Sequence, residues 1–396
     1  MPLDKNGFKY RQIRPRTGFA RPKTGSRTRK TAGYCFVVHI ETLKKKFDVL
    51  RILKYTLAAS LLVGPVHVGA ALAKVDLPGF DRLAVSAAHR PGLVAGSIWY
   101  PAGQVTYKTQ VGRNAVFTGA PAYLAPEIAK GRHPLIVLSH GSGGNIDGLS
   151  WLAGALAQNG AMVLGVNHPG STGGDSSPRR SIRMWERAWD VSAALDTVLA
   201  DPNFAPHIDP ERVYSIGFSM GGATALQLAG LRGDIGAFKA HCTGAGVRHL
   251  GCAYFAAGGV NYDNISAEDF NQDLREPRIS RTVGVDPGLA MAYTDASIAA
   301  LDHPILLIAL GHKGPDEIGI DAGPDGSNLS GQLKDVQFHE LTPASHFSFL
   351  GMCTKDGLEI LKAEGEEQLC QPEDTTIRAS VHQKVIALIS EFLRLN

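Results

Sequence analysis

Short apolar runs alternate with longer segments of helical spacing through most of the chain after about residue 130. The apolar runs are typical of strands that are buried on both faces. The segments between them place small and apolar residues three and four positions apart, which predicts helices. This alternation predicts an α/β protein with a mostly parallel central sheet and helices on both faces. The predicted strands of this region are residues 134–139, 161–167, 212–218, 281–288, 304–311 and 335–341.

Ser219 lies between a predicted strand, residues 212–218, and a predicted helix, residues 220–231. The five residues GFSMG around it fit the pattern G-x-S-x-G, in which a serine occupies a sharp strand-to-helix turn. The flanking glycines, Gly217 and Gly221, allow strand and helix to approach each other closely. A serine at the start of a helix also lies where free N–H groups favour a developing oxyanion. We therefore predict that Ser219 is a catalytic nucleophile.

A glycine-rich turn, residues 140–144 (HGSGG), follows the predicted strand 134–139. In folds with such a nucleophile turn, a backbone N–H from this position is the second oxyanion donor. The alternative is a phosphate-binding loop, but the turn lacks the Lys-Ser/Thr ending of a P-loop. The sequence therefore favours the oxyanion role.

Two parts of the chain do not follow this alternation of strands and helices. Residues 93–100 and 105–110 predict two antiparallel opening strands. Residues 233–280, which follow the nucleophile helix, interrupt the alternation and contain several aromatic residues and a cysteine pair. We interpret this segment as an insertion that forms a lid or pocket wall; the alternative is a surface excursion without substrate contact. Residues 74–396 are predicted to form one catalytic domain.

A serine nucleophile needs a general base and an acidic group that orients the base. His346 follows the last predicted strand at the carboxyl edge, whereas His339 lies within that strand and His382 within a helical pattern. His168, in a glycine-rich loop before the nucleophile, is interpreted as a structural or rim residue. His346 is therefore the predicted base.

The acid has two candidates, since both follow predicted strands whose carboxyl ends face Ser219. Asp286 ends the earlier strand, residues 281–288, and Asp316 follows the later one, residues 304–311. Most proteins whose sheet carries a nucleophile turn of this kind have the acid after the later strand, which favours Asp316. The residue pattern by itself leaves both carboxylates open.

Five segments together resemble one branch of the α/β-hydrolases, the platelet-activating-factor acetylhydrolase and dienelactone-hydrolase-like enzymes. The likeness extends from about residue 93 to 352. The resemblance implies the α/β-hydrolase fold, with Asp286 as acid because acetylhydrolase-type members carry it in a motif matching VDPG. It also implies that the N–H groups of Ser142 and Met220 form the oxyanion pair. The segments are GFSMGG, SHGSGGN, VNHPGS, VGVDPGLA and PASHFSFL.

Two departures from this branch concern the substrate. Dienelactone hydrolases proper use a cysteine nucleophile, where this chain has Ser219, and the phospholipid acetylhydrolases carry histidine where Phe218 stands. The expected activity is therefore hydrolysis of a small-molecule or lipid-like carboxylic ester, without a cofactor. The alternatives are an amide or peptide hydrolase, an acyltransferase, and a non-catalytic binding module with the same fold.

The first 73 residues differ in charge from the rest, with 15 Lys/Arg against 3 Asp/Glu in a chain of net charge +3. Residues 1–43 predict disorder or a start site placed too far upstream. Residues 47–73 resemble a secretory signal that is cleaved after Ala73, and the apolar stretch is too short for a stable membrane anchor. Because the positive charge lies in this leader, it does not indicate nucleic-acid binding by the folded part.

Cysteines and acidic residues predict two further features. If the chain is exported, local disulfides are favoured, which would be Cys242–Cys252 and Cys353–Cys370. The acidic stretch around Asp321 and Asp325 matches part of a calcium loop, but Gln332 stands where the bidentate Glu is needed. No metal site is expected.

Overall fold

The computed structural model describes residues 75–311, 314, 317–371 and 374–395. The predicted leader with its cleavage site after Ala73 lies outside these residues, and so does Asp316.

Within the described residues, ten strands form one sheet in the order β10-β9-β8-β7-β5-β6-β2-β1-β4-β3. Every neighbouring pair from β10 to β6 is parallel, whereas β2 runs antiparallel to both β6 and β1. The predicted mostly parallel sheet is therefore present. The strands are β1 (Gly79–Val85), β2 (Val94–Tyr100), β3 (Lys108–Val111), β4 (Ala120–Leu124), β5 (His133–Ser139), β6 (Met162–Val166), β7 (Ile208–Phe218), β8 (Ile279–Val285), β9 (Ile305–Leu310) and β10 (Val336–Leu341).

Helices cover both faces of this sheet. Alternate residues of β5 belong to two hydrophobic cores, Leu135 and Val137 to one and Ile136 and Leu138 to the other. The first core is closed by α3 and α4 and the second by α1 and α11. The helices of the described residues are α1 (Ser150–Gln158), α2 (Pro178–Ser181), α3 (Trp185–Ala200), α4 (Met220–Ala229), α5 (Ile235–Thr243), α6 (Leu250–Ala257), α7 (Ala267–Phe270), α8 (Asp295–Ala300), α9 (Leu329–Gln332), α10 (Gly357–Glu364) and α11 (Asp374–Phe392).

The opening strands differ from the prediction. The second strand, β2, is present at the predicted place, but it pairs with β1 and β6 and not with β3. The sequence analysis did not identify β1, because Asp81 and Arg82 interrupt its apolar positions. The strand β3 pairs with β4 instead, at the outer edge of the sheet.

The insertion, residues 233–280, folds into α5, α6 and α7 around a small aromatic core. The Phe238 ring packs against Phe255, Tyr262 and Phe270, with ring centroids 5.7 to 5.9 Å apart. The cysteines of this segment, Cys242 and Cys252, have Cα atoms 5.1 Å apart and lie at bonding distance, as the local pairing predicts. The second pair has the same arrangement, with a Cα separation of 6.2 Å between Cys353 and Cys370.

The insertion also contacts the segment around α2. The Tyr254 hydroxyl lies 2.8 Å from Ser176 Oγ, and the Arg179 guanidinium donates to the Gly258 carbonyl. This contact joins the insertion to the loop that follows β6. In the part of the chain that the structure describes, none of the helices has the length and apolar character needed to cross a membrane.

Candidate active site

Ser219 occupies a strained turn between β7 and α4. Its backbone has φ 57° and ψ −123°, a region that L-residues rarely adopt. The Ser219 N–H donates to the Val285 carbonyl at 2.9 Å, so the end of β8 supports this conformation. The glycines on either side are required: a Cβ on Gly217 would overlap the Gly221 carbonyl, and one on Gly221 would overlap the Ser139 carbonyl. The turn therefore has the geometry that the G-x-S-x-G pattern predicts.

Asp286 and His346 form a buried pair. Nδ1 of His346 lies 2.9 Å from Oδ2 of Asp286, and the two residues are 3% and 0% exposed. The other carboxylate oxygen, Oδ1, accepts the Leu310 N–H at 2.9 Å. The carboxylate orientation is therefore fixed from the end of β9, and a neutral His346 ring that donates its Nδ1 proton to Asp286 has no proton on Nε2.

The parallel strands bring this pair to the same edge as Ser219. Ser219 follows β7 and Asp286 follows β8, while His346 lies in the loop after β10. The His346 ring stacks on the ring of Phe218, the residue before Ser219, with centroids 4.6 Å apart. Ser345 caps the short 3₁₀ helix that begins at His346 and so holds this loop. Among the described residues, no hydrogen bond of the Ser219 hydroxyl is found.

The other histidines considered from the sequence lie elsewhere. His339 is exposed within β10. The His382 ring stacks on Trp151 at 3.6 Å and donates from Nε2 to the Leu350 carbonyl, and burial lowers its pKa to about 4. Its role is therefore to support the loop after His346. His168 is fully buried, which excludes the rim position and agrees with the structural interpretation.

The glycine-rich turn after β5 lies against Ser219. A Cβ built on Gly141 would lie 3.2 Å from Ser219 Cβ, which is closer than ordinary van der Waals contact, so glycine allows this approach without a shift of either residue. The Gly141 carbonyl accepts from His140 Nδ1 at 2.8 Å and from the Gly144 N–H at 3.2 Å. Because the peptide is trans and planar, the Ser142 N–H points to the opposite side. Burial holds the pKa of His140 well below its usual value, so its ring is neutral.

Met220 begins α4, directly after Ser219. The first N–H groups of an α-helix have no partner within the helix. The Met220 N–H therefore lies next to Ser219 at the N-terminal end of α4, where the helix dipole has its positive end.

A model of the α/β-hydrolase fold family matches residues 134–243. That range contains the turn after β5, β7 and the Ser219 turn, and it ends before Asp286. A ferulic acid esterase from Streptomyces cinnamoneus superposes with a TM-score of 0.52 at 18% identity, over 82% of this chain and 92% of that enzyme. The chain has the α/β-hydrolase fold.

Two relatives, one named as an esterase and one as a lipase, align with part of the chain. A protein described as an esterase, NocK, from Nocardia uniformis subsp. tsuyamanensis is 34% identical over 107 residues. Lipase 1 from Moraxella sp. (strain TA144) is 34% identical over 87 residues. These alignments span 26% and 22% of this chain, and they cover 30% and 24% of the two relatives.

The core of the sheet contains a hydrogen-bonded Ser–His–Asp arrangement at other residues, which the sequence analysis missed. Ser139 Oγ lies 3.0 Å from His168 Nε2, and His168 Nδ1 lies 2.9 Å from Asp190 Oδ2. All three residues are at most 2% exposed, so no substrate reaches them. Nothing in the spacing of these residues indicates the contact, because three separate elements supply them.

Charged and hydrogen-bonding partners compensate for the burial of Ser139, His168 and Asp190. Burial tends to raise the pKa of Asp190, but hydrogen bonds from Arg90 and His168 outweigh it and hold the carboxyl ionised. Burial lowers the pKa of His168 to about 4, so its ring is neutral with the proton on Nδ1. Ser139 therefore donates its hydroxyl proton to His168 Nε2 and keeps its lone pairs for another donor.

A cavity of about 780 Å³ lies away from Ser219. Its walls include Tyr100, Phe204 and His207, and the last two precede β7. Since Ser219 follows the other end of that eleven-residue strand, cavity and serine lie at opposite edges of the sheet. The cavity is therefore not part of the candidate active site.

Proposed function

We propose that this protein is a serine hydrolase that cleaves carboxylic esters through an acyl-enzyme on Ser219. The observation that carries the proposal is the buried Asp286–His346 pair, whose imidazole packs beside the Ser219 turn at the carboxyl edge of the sheet. A serine hydroxyl, an imidazole and a carboxylate at such an edge are the groups that acyl transfer needs.

In the proposed mechanism, Ser219 Oγ attacks the ester carbonyl carbon while His346 Nε2 takes the hydroxyl proton. Asp286 keeps the imidazole in the required tautomer and stabilises the imidazolium. The tetrahedral intermediate then collapses: the bond to the alkoxide breaks, and His346 returns the proton to the leaving alcohol. Water, deprotonated by His346, releases the acid and regenerates Ser219 in the same way. None of these steps needs a cofactor.

The oxyanion of each tetrahedral intermediate is proposed to accept from the N–H groups of Ser142 and Met220. Donors fixed before the reaction stabilise this charge without reorganisation, which contributes about 10²–10³-fold in rate for each donor. In structures without substrate, catalytic hydrogen bonds are often long and shorten when substrate binds. We propose that the bond from the Ser219 hydroxyl to His346 forms in this way.

The choice of an ester rests on sequence likeness and on the motifs. The partial alignments to an esterase and a lipase support ester cleavage, and the acetylhydrolase-like motif around Asp286 supports a small or lipid-like ester. The substrates of these two relatives are not transferred to this protein, because the alignments cover less than a third of each relative's length.

A fluorophosphonate probe tests the nucleophile. We expect one adduct on Ser219 in the folded protein and none in Ser219→Ala. A series of p-nitrophenyl esters of increasing acyl length, run beside aminoacyl p-nitroanilides, tests the substrate class, and esters should be cleaved at least tenfold faster. Absence of the adduct from folded protein would leave the binding-module alternative standing, and faster anilide cleavage would favour the amidase.

We also propose that the protein is exported. The support is the predicted signal in residues 47–73 together with two cysteine pairs at bonding distance, since disulfides persist in oxidising compartments. N-terminal sequencing of the mature protein is expected to begin at Lys74. A mature cytoplasmic protein that retains residues 47–73 would contradict the proposal.

A further inference from the structure

Arg187, on α3, is a buried cation that contacts α4 and the loop after β5, both of which adjoin the Ser219 turn. Its side chain is among the largest that the described core encloses, at 2% exposure. Burial lowers the pKa of the guanidinium to about 9, and the charge of Asp190 opposes this effect. A buried charge is costly unless hydrogen bonds satisfy it. The partners of Arg187 therefore indicate what it does.

The guanidinium donates to four acceptors from three different segments. Nε donates to Thr224 Oγ1 at 3.0 Å, and Nη1 donates to Ser171 Oγ at 2.7 Å. Nη2 donates to Ser139 Oγ at 3.2 Å and to the His140 carbonyl. One rigid planar group thus joins the end of β5, the loop after β6 and α4.

The bond to the His140 carbonyl holds the glycine-rich turn, residues 140–144, which carries the first proposed oxyanion N–H, that of Ser142. It fixes the peptide between His140 and Gly141, and the His140 ring in turn fixes the next peptide, whose N–H belongs to Ser142. Ser139 is oriented by the same guanidinium, because it donates to His168 and accepts from Arg187. Arg187 therefore fixes the peptide immediately before the one that carries the Ser142 N–H.

The bonds to Thr224 and Ser171 hold Met220, the residue of the second proposed oxyanion N–H, through its carbonyl and its side chain. Thr224 Oγ1 donates to the Met220 carbonyl at 3.1 Å, and Ser171 Oγ lies 3.6 Å from Met220 Sδ. Both hydroxyls accept from Arg187, so one residue lies between the guanidinium and each contact with Met220.

We propose that Arg187 is the positioning residue of the oxyanion hole: it holds the segments that carry the Ser142 and Met220 N–H groups in one fixed arrangement. The proposal rests on the proposed serine hydrolase function. Arg187 does not touch substrate, so its removal is expected to affect the stabilisation of the tetrahedral intermediate and not the binding of the ester.

The test compares Arg187→Met and Arg187→Lys with wild type on a p-nitrophenyl ester that wild type cleaves. Arg187→Met should lower kcat about 10²-fold and change KM by less than about threefold, since loss of one aligned donor has this size of effect. Binding of a trifluoromethyl ketone, whose adduct with Ser219 carries an oxyanion, should weaken by the same factor as kcat/KM. Arg187→Lys keeps the charge but not the four directed hydrogen bonds, so its kcat should lie between those of wild type and Arg187→Met.

Arg378→Met is the matched control. Arg378 is 1% exposed and lies on α11 at the other face of the sheet, where it donates to the Gly351 and Leu369 carbonyls. Its loss should lower the free energy of unfolding but leave kcat within about threefold. An equal fall of kcat in Arg378→Met and Arg187→Met would overturn the proposal, because the effect would then be general destabilisation.

If Arg187→Met does not fold, Thr224→Val and Ser171→Ala decide the question. Each removes one hydroxyl between the guanidinium and Met220, and each should lower kcat about threefold to tenfold at nearly constant KM. Unchanged kcat in both, or in a folded Arg187→Met, overturns the positioning role. An inactive wild type that gives no fluorophosphonate adduct would instead refute the proposed function, so the two failures are distinguishable.

Discussion

The imidazole of His346 and the carboxylate of Asp286 lie 2.9 Å apart across 60 residues of sequence, in a part of the molecule that is closed to solvent. The contact exists because β8 and β10 are parallel members of one sheet with β9 between them. Parallel strands present their carboxyl ends at one edge, and loops that leave neighbouring strands can therefore exchange side-chain contacts.

Replacement of Asp286 by Asn is expected to lower kcat by about 10²–10⁴-fold, because an amide no longer fixes the imidazole tautomer or stabilises the imidazolium. Asp316→Asn is the comparison and should leave kcat within about threefold. Steady-state kinetics on the same ester measure both. A greater loss in Asp316→Asn than in Asp286→Asn would transfer the acid role to Asp316.

Ser219→Gly and Ser219→Ala should both abolish fluorophosphonate labelling and lower kcat by at least about 10⁴-fold. They should differ in stability, since a φ of 57° with ψ −123° is strained for alanine and accessible to glycine. We expect the free energy of unfolding of Ser219→Gly to exceed that of Ser219→Ala by about 1 kcal/mol. Urea unfolding measures this difference, and a more stable alanine variant would contradict the strained turn.

The variant Gly221→Ala is expected to lose roughly 3 kcal/mol or more of unfolding free energy, because the added methyl group would overlap the Ser139 carbonyl in closely packed backbone. Gly251→Ala is the matched control. Gly251 lies in α6 with open space around its Cβ position, where alanine favours the helix by about 0.5–1 kcal/mol. Thermal unfolding of the two variants should therefore shift in opposite directions. Equal and small shifts would show that the Ser219 turn is less tightly packed than described.

Stability is expected to fall as the pH is lowered from 6.5 towards 4. Burial lowers the pKa values of His168, His303 and His382 to about 4, whereas an unfolded chain has histidines near 6.5. In this pH window the unfolded state binds protons that the folded state excludes, so the free energy of unfolding decreases on acidification and is fully regained above about pH 6.5.

The variant His382→Gln isolates one of these contributions. Glutamine does not titrate, so the stability difference between wild type and variant should shrink by about 3 kcal/mol between pH 7 and pH 4. Urea unfolding at four pH values provides the measurement. A stability difference that stays constant over this range would contradict the low pKa of His382.

The sequence predicted the parallel strands and the Ser219 turn because both are local. An apolar run between turn residues indicates a buried strand, and two glycines around a serine meet a steric requirement that few other sequences satisfy. The prediction was weaker for the first strands of the described chain. The strand β1 was missed because polar residues interrupt its apolar positions. The strand β2 pairs with β1 and β6 and not, as predicted, with β3.

The sequence by itself determined the order of the parallel strands β5 to β10 along the chain, the strained serine turn, the glycine-rich turn after β5 and the short list of histidines and carboxylates. Only the tertiary structure decided which of these side chains meet. Asp286 and His346 pair, His168 lies sealed against Asp190 and Ser139, and Arg187 binds three segments around the Ser219 turn. Such contacts depend on strand order and on burial, which are properties of the whole packed chain and leave no local pattern in the sequence.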